Sequence, residues 1–436
     1  MNAKTVDYLN GKLFPMILKF SIPAAISLLI TAIYNIVDRM FVGNFNGTSA
    51  LAGLSVCFPL SYMMMAFALM CSAGGSTFFS LFSGHNESEK MNQSFGNALL
   101  LVCIFEIILS AVLLIFANPI LKIFGVTKTA FPYAILYYRI VALGCIFQGL
   151  SQLFCDFVRV SGKPVLGMCV TGIGAASATV IGQIFSALFG AYLIFGHKTQ
   201  VQISRDVFHL DKDLCMKIIS CGFAFWVAQM SMGFISLVYN SQLGKYGGDI
   251  AISVYAVVSS VMTFVIMPAS GISQGIQPIV GNNYGAGNNK RVMRTLFQAA
   301  LFSVSITCFI WLVVLFFSKQ ILAAFGGTEE MFDIGITGLR INFCITPVLG
   351  FVMLATTFFQ SINRPTPSIV ITILRQIVFL VPFIYIFPTF FGINGIFFAQ
   401  PVSDLLATLL SVWLVFKEKK RMLYVPEFMA RSGVAQ

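Results

Sequence analysis

The sequence contains few charged residues, and this shortage limits the class of protein that it can encode. Only 10% of the 436 residues are charged, whereas 58% are hydrophobic and the mean hydropathy is +0.88. A soluble globular domain carries about 25% charged residues. The composition therefore excludes a soluble enzyme or binding domain. It predicts an all-α polytopic membrane protein that has no separate soluble domain.

A basic patch for nucleic acid is also missing, although the formal net charge is +11. The basic residues are spread over polar loops, and no stretch combines them with interleaved aromatic residues. Nucleic-acid binding needs such a clustered positive surface. We therefore expect a protein that lies in the lipid bilayer and does not bind nucleic acid, and we expect it to be a monomer.

The motifs of metal sites, disulfide frameworks and hydrolytic centres are missing as well. The ten cysteines lie mostly inside apolar runs and include no CxxC pair, so they are typical of small packing residues. The histidines, His85, His197 and His209, all lie in polar loops, and no HExxH is present. These absences exclude a membrane-embedded enzyme, and we expect no cofactor.

Long apolar runs fill the rest of the chain. About twenty apolar residues at 1.5 Å each cross a hydrocarbon core of about 30 Å. By this measure the sequence predicts eleven spanning helices, at 14–38, 50–82, 96–116, 133–158, 173–195, 218–240, 251–280, 295–317, 334–361, 369–391 and 395–416.

The two halves of the chain repeat each other. As far as Pro164, many residues of the first half match the residue that lies 201 positions later in the chain. From Gly174 onward the matching residue lies 221 positions later. Such a repeat predicts two pseudo-symmetric parallel bundles, as in known secondary transporters. The stretches Gly84–Lys90 and Asn282–Lys290 are predicted to be matching inner turns. Matched pairs include Gly74 and Gly275, Phe124 and Phe325, Arg139 and Arg340, Pro164 and Pro365, and Leu188 and Leu409.

The change of separation leaves the first half 20 residues short (221 − 201), about the length of one spanning helix. The sequence thus predicts a twelve-span plan in which most of the fifth span is missing. The segment from Pro164 to Ala176 must still cross or half-cross the bilayer. The predicted domains are an N-terminal helical lobe over 1–200, a cytoplasmic linker over 201–217, a C-terminal lobe over 218–416 and a cytoplasmic tail over 417–436.

Basic residues are distributed asymmetrically on this plan. Most of them fall in the predicted inner segments, and an excess of Lys and Arg marks the cytoplasmic side. We therefore expect both termini in the cytoplasm and expect the second half to keep its orientation. The basic residues of the outer loops are Arg39, Lys122, Lys128, Lys245 and Lys319.

The first apolar run carries an acid, Asp38, and an amide, Asn35, near its far end, and Pro23 near its middle. A carboxylate in hydrocarbon costs at least about 2.5 kcal/mol, so an acid there is a candidate functional group. Asp38 could bind a proton or ligate Na⁺, and Asn35, three residues earlier, could add an oxygen. Alternatively, Asp38 lies at the interface beside Arg39 and Asn35 joins two helices.

Three further acids lie inside predicted spans. Glu106 has only apolar neighbours in sequence. Asp156 is three residues before Arg159, which favours an ion pair. Asp404 lies deep in the last span, where either a transport role or a structural pair with Arg375 fits.

Intramembrane amides are candidates for a substrate cavity, and each could equally join two helices. With Asp404, the candidate cavity residues are Gln148, Gln152, Gln183, Gln229, Asn240, Gln274, Gln277 and Gln360.

Three stretches together resemble the multidrug and toxic compound extrusion (MATE) family of bacterial exporters. They are the first-helix stretch Tyr34–Gly43, the stretch Gly275–Ala286 and the pattern from Gly392 to Asp404. The resemblance extends from Leu13 to Phe416. It implies an inner-membrane antiporter that expels amphipathic, often cationic compounds and is driven by Na⁺ or H⁺.

The resemblance also implies roles for individual residues. The family's first-helix acid corresponds to Asp38, a cation-binding position, and its first-helix proline corresponds to Pro23, where the helix bends. The family's Asn and Asp of the fifth helix have no counterpart here, nor do the acids that some relatives carry in helices seven and ten. Two alternatives remain: a flippase for lipid-linked oligosaccharides of a related superfamily, and a coupling-defective variant caused by the missing helix.

Overall fold

A computed structural model of the chain describes residues 7–123, 131–176, 179–196, 198–202, 205–324 and 329–431. Side chains within these ranges are described except at 34–61, 122–123, 132–133, 175–176, 179, 205–206, 249, 252–253 and 423–431. The helices are α1 (Leu13–Gly84), α2 (Ser88–Ile115), α3 (Ala117–Ile123), α4 (Phe131–Val160), α5 (Pro164–Ala176), α6 (Thr179–Phe195), α7 (Lys212–Gly285), α8 (Asn289–Ala324), α9 (Glu329–Phe343), α10 (Thr346–Ser361), α11 (Pro365–Ile373), α12 (Leu380–Phe391) and α13 (Ile393–Arg431).

The described part of the chain is helical throughout, and most of its helices are long and apolar enough to span a bilayer. Nine helices meet that requirement, and the pair α9 and α10, bent by 45°, makes a tenth. Within α1 the apolar spans are Leu13–Ile33 and Tyr62–Gly84. Within α7 they are Lys212–Gly248 and Val254–Gly285, with Gly248 at φ 61° between them. Two shorter apolar helices, α5 and α6, complete a twelve-element plan.

Four turns between helices show the internal repeat in backbone conformation. Asn86 (φ 58°) and Gly287 (φ 72°) follow α1 and α7, and they differ by 201 positions (287 − 86). Gly162 (φ 86°) and Asn363 (φ 56°) follow α4 and α10, again 201 apart (363 − 162). Glycine and asparagine are the residues that most readily take a positive φ after a helix. The two turns predicted from the sequence are confirmed, and the duplicated plan is visible at single positions.

The helices α5 and α6 form an antiparallel hairpin. Lys163, just before α5, donates a hydrogen bond to the carbonyl oxygen of Lys198, and Ser186 donates to Val170 O at 2.6 Å. At 1.5 Å per residue, the 13 residues of α5 extend about 20 Å and the 17 residues of α6 about 26 Å, less than the hydrocarbon core of about 30 Å. By length, α5 is therefore too short to cross the core as a straight helix, and α6 is at the lower limit for a span.

Small residues allow this hairpin to pack closely on α4. Gly144 meets Val180, the Ser151 and Ser186 hydroxyls are 2.5 Å apart, and Gly190 meets Phe154. Glycine and serine at such contacts let helix backbones approach in lipid. The hairpin is thus held by helix packing, with its backbone hydrogen bonds satisfied internally, as the membrane requires.

The deficit of the first half is divided differently from the prediction. The sequence prediction placed the deficit of 20 residues in the fifth span. The structure has α5 where the second half has the span Pro365–Phe391 of 27 residues. It also starts α6 at Thr179, whose repeat mate Gln400 lies seven residues inside α13 (400 − 393). A hairpin shortened at its tip loses residues from both arms, whereas a comparison of two sequences places them in one gap.

The contacts divide the chain into two compact units. The first contains Ile22–Phe234 with the first seven residues, and the second contains Tyr8–Ser21 with Ile235–Gln436. The first unit has a core that includes Leu109, Leu113 and Tyr138, and the second has one around Tyr239, Phe343 and Phe397. The domain boundaries given under Sequence analysis stay predictions.

Candidate functional site

The second unit contains a buried ion pair between Asp404 of α13 and Arg375. Asp404 is 4% exposed, Arg375 Nε lies 2.6 Å from its Oδ1, and Gln400 Nε2 lies 3.0 Å from the same oxygen. Burying a charge in a medium of low dielectric is expensive unless an opposite charge and hydrogen bonds compensate it. The partner that the sequence analysis considered for Asp404 is therefore the one that the structure shows.

Arg375 is positioned by an irregular stretch of helix. The π-helical segment Leu374–Phe379 joins α11 to α12, and Ser403 donates a hydrogen bond of 2.5 Å to the carbonyl oxygen of Arg375. Consecutive residues of α13, Ser403 and Asp404, thus hold the backbone and the side chain of one arginine. π-helical turns are rare and occur frequently at functional sites. Nothing in the sequence pattern indicated this turn.

The first unit contains a second ion pair, in which Asp156 has three donors. Asp156 is 6% exposed and accepts hydrogen bonds from Ser72 (2.9 Å), Gln152 (3.0 Å) and Arg159 (3.0 Å). The predicted pairing of Asp156 with Arg159 is confirmed. Ser72 is 84 positions away in sequence, so only the fold identifies it as a partner.

Glu106 of α2, in the first unit, is buried without a cation. It is 1% exposed, and Cys145 Sγ lies 2.5 Å from its Oε2, while Oε1 has no hydrogen-bond partner among the described residues. Within that part of the chain, no Lys, Arg or His lies within salt-bridge distance of it. Ionisation of Glu106 would therefore leave a buried charge without an opposite charge beside it.

Room for Glu106 is made by a glycine on the neighbouring helix. A Cβ at Gly149 of α4 would lie 2.8 Å from Glu106 Cγ and 2.9 Å from Val102 Cγ1. The carboxyl group is thus enclosed by α2 and α4. The sequence showed that Glu106 is an apolar-flanked acid, but not that a thiol 39 positions away would be its hydrogen-bond donor.

The remaining predicted residues are distributed over both units. Asp38 and Asn35 lie outside the residues whose side chains the structure describes, and Pro23 is buried in α1. Gln360 is 2% exposed and donates to Ser368, which is the helix-joining alternative considered for it. Half-buried positions are Gln148, Gln152, Gln183, Gln229 and Gln274, whereas Gln277 is buried and Asn240 is exposed.

Metal chemistry has no visible support in the part of the chain that was described. No group of three or more His, Cys, Asp or Glu side chains lies close enough there to hold a metal ion. The buried acids of that part are instead Glu106, which has no cation beside it, and three acids that pair with arginine, Asp156, Asp404 and Glu418.

Duplicated apolar bundles with ionisable groups inside define a polytopic membrane protein of the secondary-transporter type. The chain matches the MatE family over residues 23–185 and 225–386, one match in each half. It belongs to that family, and the resemblance drawn from the sequence is confirmed.

Similar proteins agree with this assignment. The multidrug export protein MepA of Staphylococcus haemolyticus is 21% identical over 437 residues, which cover 95% of each chain. A crystal structure of a MATE protein in complex with MaL6 aligns with a TM-score of 0.91 at 22% identity, covering 96% of this chain and 99% of that one. A MOP superfamily transporter from Pyrococcus furiosus, whose binding pocket is described as having reverse polarity, aligns with a TM-score of 0.90 at 22% identity. The alignment covers 97% of this chain and 99% of that one.

Proposed function

We propose that this chain is an antiporter that exports amphipathic and cationic organic compounds in exchange for H⁺ or Na⁺. The observation that carries the proposal is the alignment with a multidrug export protein over 95% of both chains. The bundles of apolar helices with buried carboxylates support it, because an antiporter needs a group whose charge changes when the coupling ion binds.

Two acids are candidates for the coupling site. Asp38, assisted by Asn35, is the first candidate, because the family's first-helix acid corresponds to it. Glu106 is the second, since it alone among the buried acids described here lacks a cationic partner. Asp156 and Asp404 are less suited to proton exchange, because each would have to give up an arginine.

The bacterial cytoplasmic membrane is the proposed location, with both termini in the cytoplasm. The excess of basic residues in the predicted inner segments supports this orientation. The four matched inner turns support it as well, because they give both halves the same sequence of helix reversals.

Transport in proteoliposomes tests the proposal. A preformed pH or Na⁺ gradient is expected to drive movement of a fluorescent organic cation, and Asp38→Asn is expected to lower the driven rate at least tenfold. Glu330→Gln, which makes the same kind of carboxylate-to-amide change at an exposed position, is the control. If the cation crosses at the same rate without either gradient, or if Asp38→Asn transports like the original chain, coupling through this acid is refuted.

The short hairpin α5–α6 favours a second candidate, a transporter of the same type with defective coupling. To restore the length of both arms, we would copy residues 378–397 of the second half and insert them directly after Ala176. Higher gradient-driven transport by the lengthened protein would support defective coupling, and equal or lower transport would refute it. A flippase for lipid-linked sugars is less well supported, since the intramembrane Arg375 is already neutralised by Asp404.

A further inference from the structure

A groove of ≈ 850 Å³ opens between α8, α10 and α13 of the second unit. Its walls are largely apolar, with Phe297, Phe351 and Phe416 among the lining residues. One end carries three cationic side chains, Lys290, Arg294 and Lys419, all exposed. We propose that this groove binds an anionic phospholipid, with the phosphate at the cationic end and an acyl chain along the apolar walls.

The three cationic groups are free to meet a phosphate. None of them has a carboxylate within 4 Å in the described part of the chain. The neighbouring acid, Glu418, is 6% exposed and already pairs with Arg364 at 2.7 Å. Clustered Lys and Arg beside membrane helices attract anionic lipid, with a contribution of about 1 kcal/mol per residue.

In the first half of the internal repeat, the corresponding position on α2 is covered by another segment of the chain. The repeat mate of Phe297 is Gly96 in α2, where a Cβ would lie 1.8 Å from the carbonyl oxygen of Val207. The linker segment Arg205–Phe208 therefore covers α2 at the position where α8 stays open. In the first unit the chain itself fills the groove, and in the second unit an external molecule has to do so.

The groups that fasten the linker are replaced in the second unit. Asn92 and Asn97 accept hydrogen bonds from the backbone N–H groups of Gln202 and Asp211, each at 2.9 Å. Their repeat mates at a separation of 201 are Met293 and Gln298, and both line the groove. Gln298 Oε1 is buried and has no hydrogen-bond partner among the described residues.

The charges distinguish the two grooves in the same way. The mates of Lys290 and Arg294 in the first half are Glu89 and Gln93, so only the second half concentrates positive charge there. In addition, α13 continues as a helix to Arg431, whereas α6 ends at Phe195 and the chain after it covers α2. The charge favours a lipid over the chain's own tail, which carries one acid and one base over 423–436.

Native mass spectrometry of the delipidated full-length protein tests the site. Titration with phosphatidylglycerol is expected to give at least tenfold tighter binding than phosphatidylcholine. The triple variant Lys290→Gln, Arg294→Gln and Lys419→Gln is expected to lose roughly fivefold in affinity for each cation removed. The matched control removes three exposed charges beside the groove, with Lys417→Gln, Lys420→Gln and Arg421→Gln, and is expected to bind like the original protein.

A steric variant separates the groove from general surface charge. Ala300→Phe narrows the apolar part without changing any charge, and it is expected to weaken phosphatidylglycerol at least tenfold. Glycerol 3-phosphate, the headgroup without chains, is expected not to bind at millimolar concentration. Equal losses in the two triple variants, or equal affinity for both lipids, would overturn the proposal. So would tenfold tighter binding after removal of residues 423–436, because the tail would then be the occupant.

Discussion

The fifth and sixth membrane elements differ between the two halves, although the turns that precede the fifth match in position. In the second half they are spans of 27 and 30 residues that meet at Gly392. In the first half they are α5 and α6, with 13 and 17 residues. The long pair carries Arg375 and Asp404, whereas the repeat mate of Asp404 in the short pair is the uncharged Gln183, and Arg375 lies in the stretch between Pro365 and Gly395 that the first half shortens by 20 residues. The short hairpin thus has no ion pair to bury where the long pair has one.

The difference teaches which parts of a membrane bundle can be shortened. Residues at the tip of the hairpin can be lost when both arms stay helical and carry no unpaired charge. The inner turns stay constant, because each fixes a positive φ and the direction of the next helix.

The largest expected effect comes from breaking the ion pair of the second half. Asp404→Leu or Arg375→Leu alone should lower the free energy of unfolding by about 3–5 kcal/mol, because each leaves a buried charge without its partner. The double variant should recover most of that loss. Thermal unfolding in detergent measures all three, and additive losses in the double variant would show that the two residues are not energetically coupled.

The second-largest effect on stability is expected where the linker segment Arg205–Phe208 packs against α2 in the first half. Gly96→Ala places a Cβ against the carbonyl oxygen of Val207. It should lower the free energy of unfolding by about 1–3 kcal/mol, because the backbone must move to relieve the contact. Release of the linker should also increase protease cleavage between 198 and 211. Phe297→Ala at the repeat mate is the control and should not change that cleavage. An unchanged cleavage rate in Gly96→Ala would refute the packing.

A smaller effect of opposite sign is expected inside the short hairpin. Gly172→Ala in α5 meets no atom within 4 Å and should raise the free energy of unfolding by about 0.5–1 kcal/mol, because alanine favours helix over glycine. The matched control is Gly222→Ala, where a Cβ would lie 1.8 Å from Met70 O and should destabilise. Destabilisation by Gly172→Ala would argue against a helical α5.

The smallest effect on stability is expected at Glu106. Glu106→Gln keeps the shape of a neutral acid and should change the free energy of unfolding by less than about 0.5 kcal/mol. Asp156→Asn, which removes the charge beside Arg159 in the same unit, should lower the free energy of unfolding by more than Glu106→Gln does. If Glu106 exchanges the coupling proton, Glu106→Gln should also remove the pH dependence of transport in proteoliposomes. A pH profile equal to that of the original chain would exclude this role.

The architecture of the chain and part of the candidate site could be predicted from the sequence. Periodic apolar runs and the repeat were enough for the twelve-element plan and for the turns at Asn86 and Gly287. A separation of three residues was enough to predict the Asp156–Arg159 pair, whereas the Arg375–Asp404 pair was one of two alternatives for Asp404. The π-helical turn at Leu374–Phe379 has no signal in composition, and the bond from Cys145 to Glu106 depends on how α2 packs against α4.

The hairpin α5–α6 has a consequence for the surrounding bilayer. On α4, the side chains of Leu136, Ile140 and Leu143 precede the contact of Gly144 with Val180 and are 63%, 48% and 61% exposed. Acyl chains have to cover this apolar surface and the hairpin tip, so the lipid layer must bend locally toward the protein. Hydrophobic mismatch of this kind costs fractions of a kcal/mol per Å. The energy of the folded protein should therefore depend on membrane thickness, chiefly on the side of the first bundle.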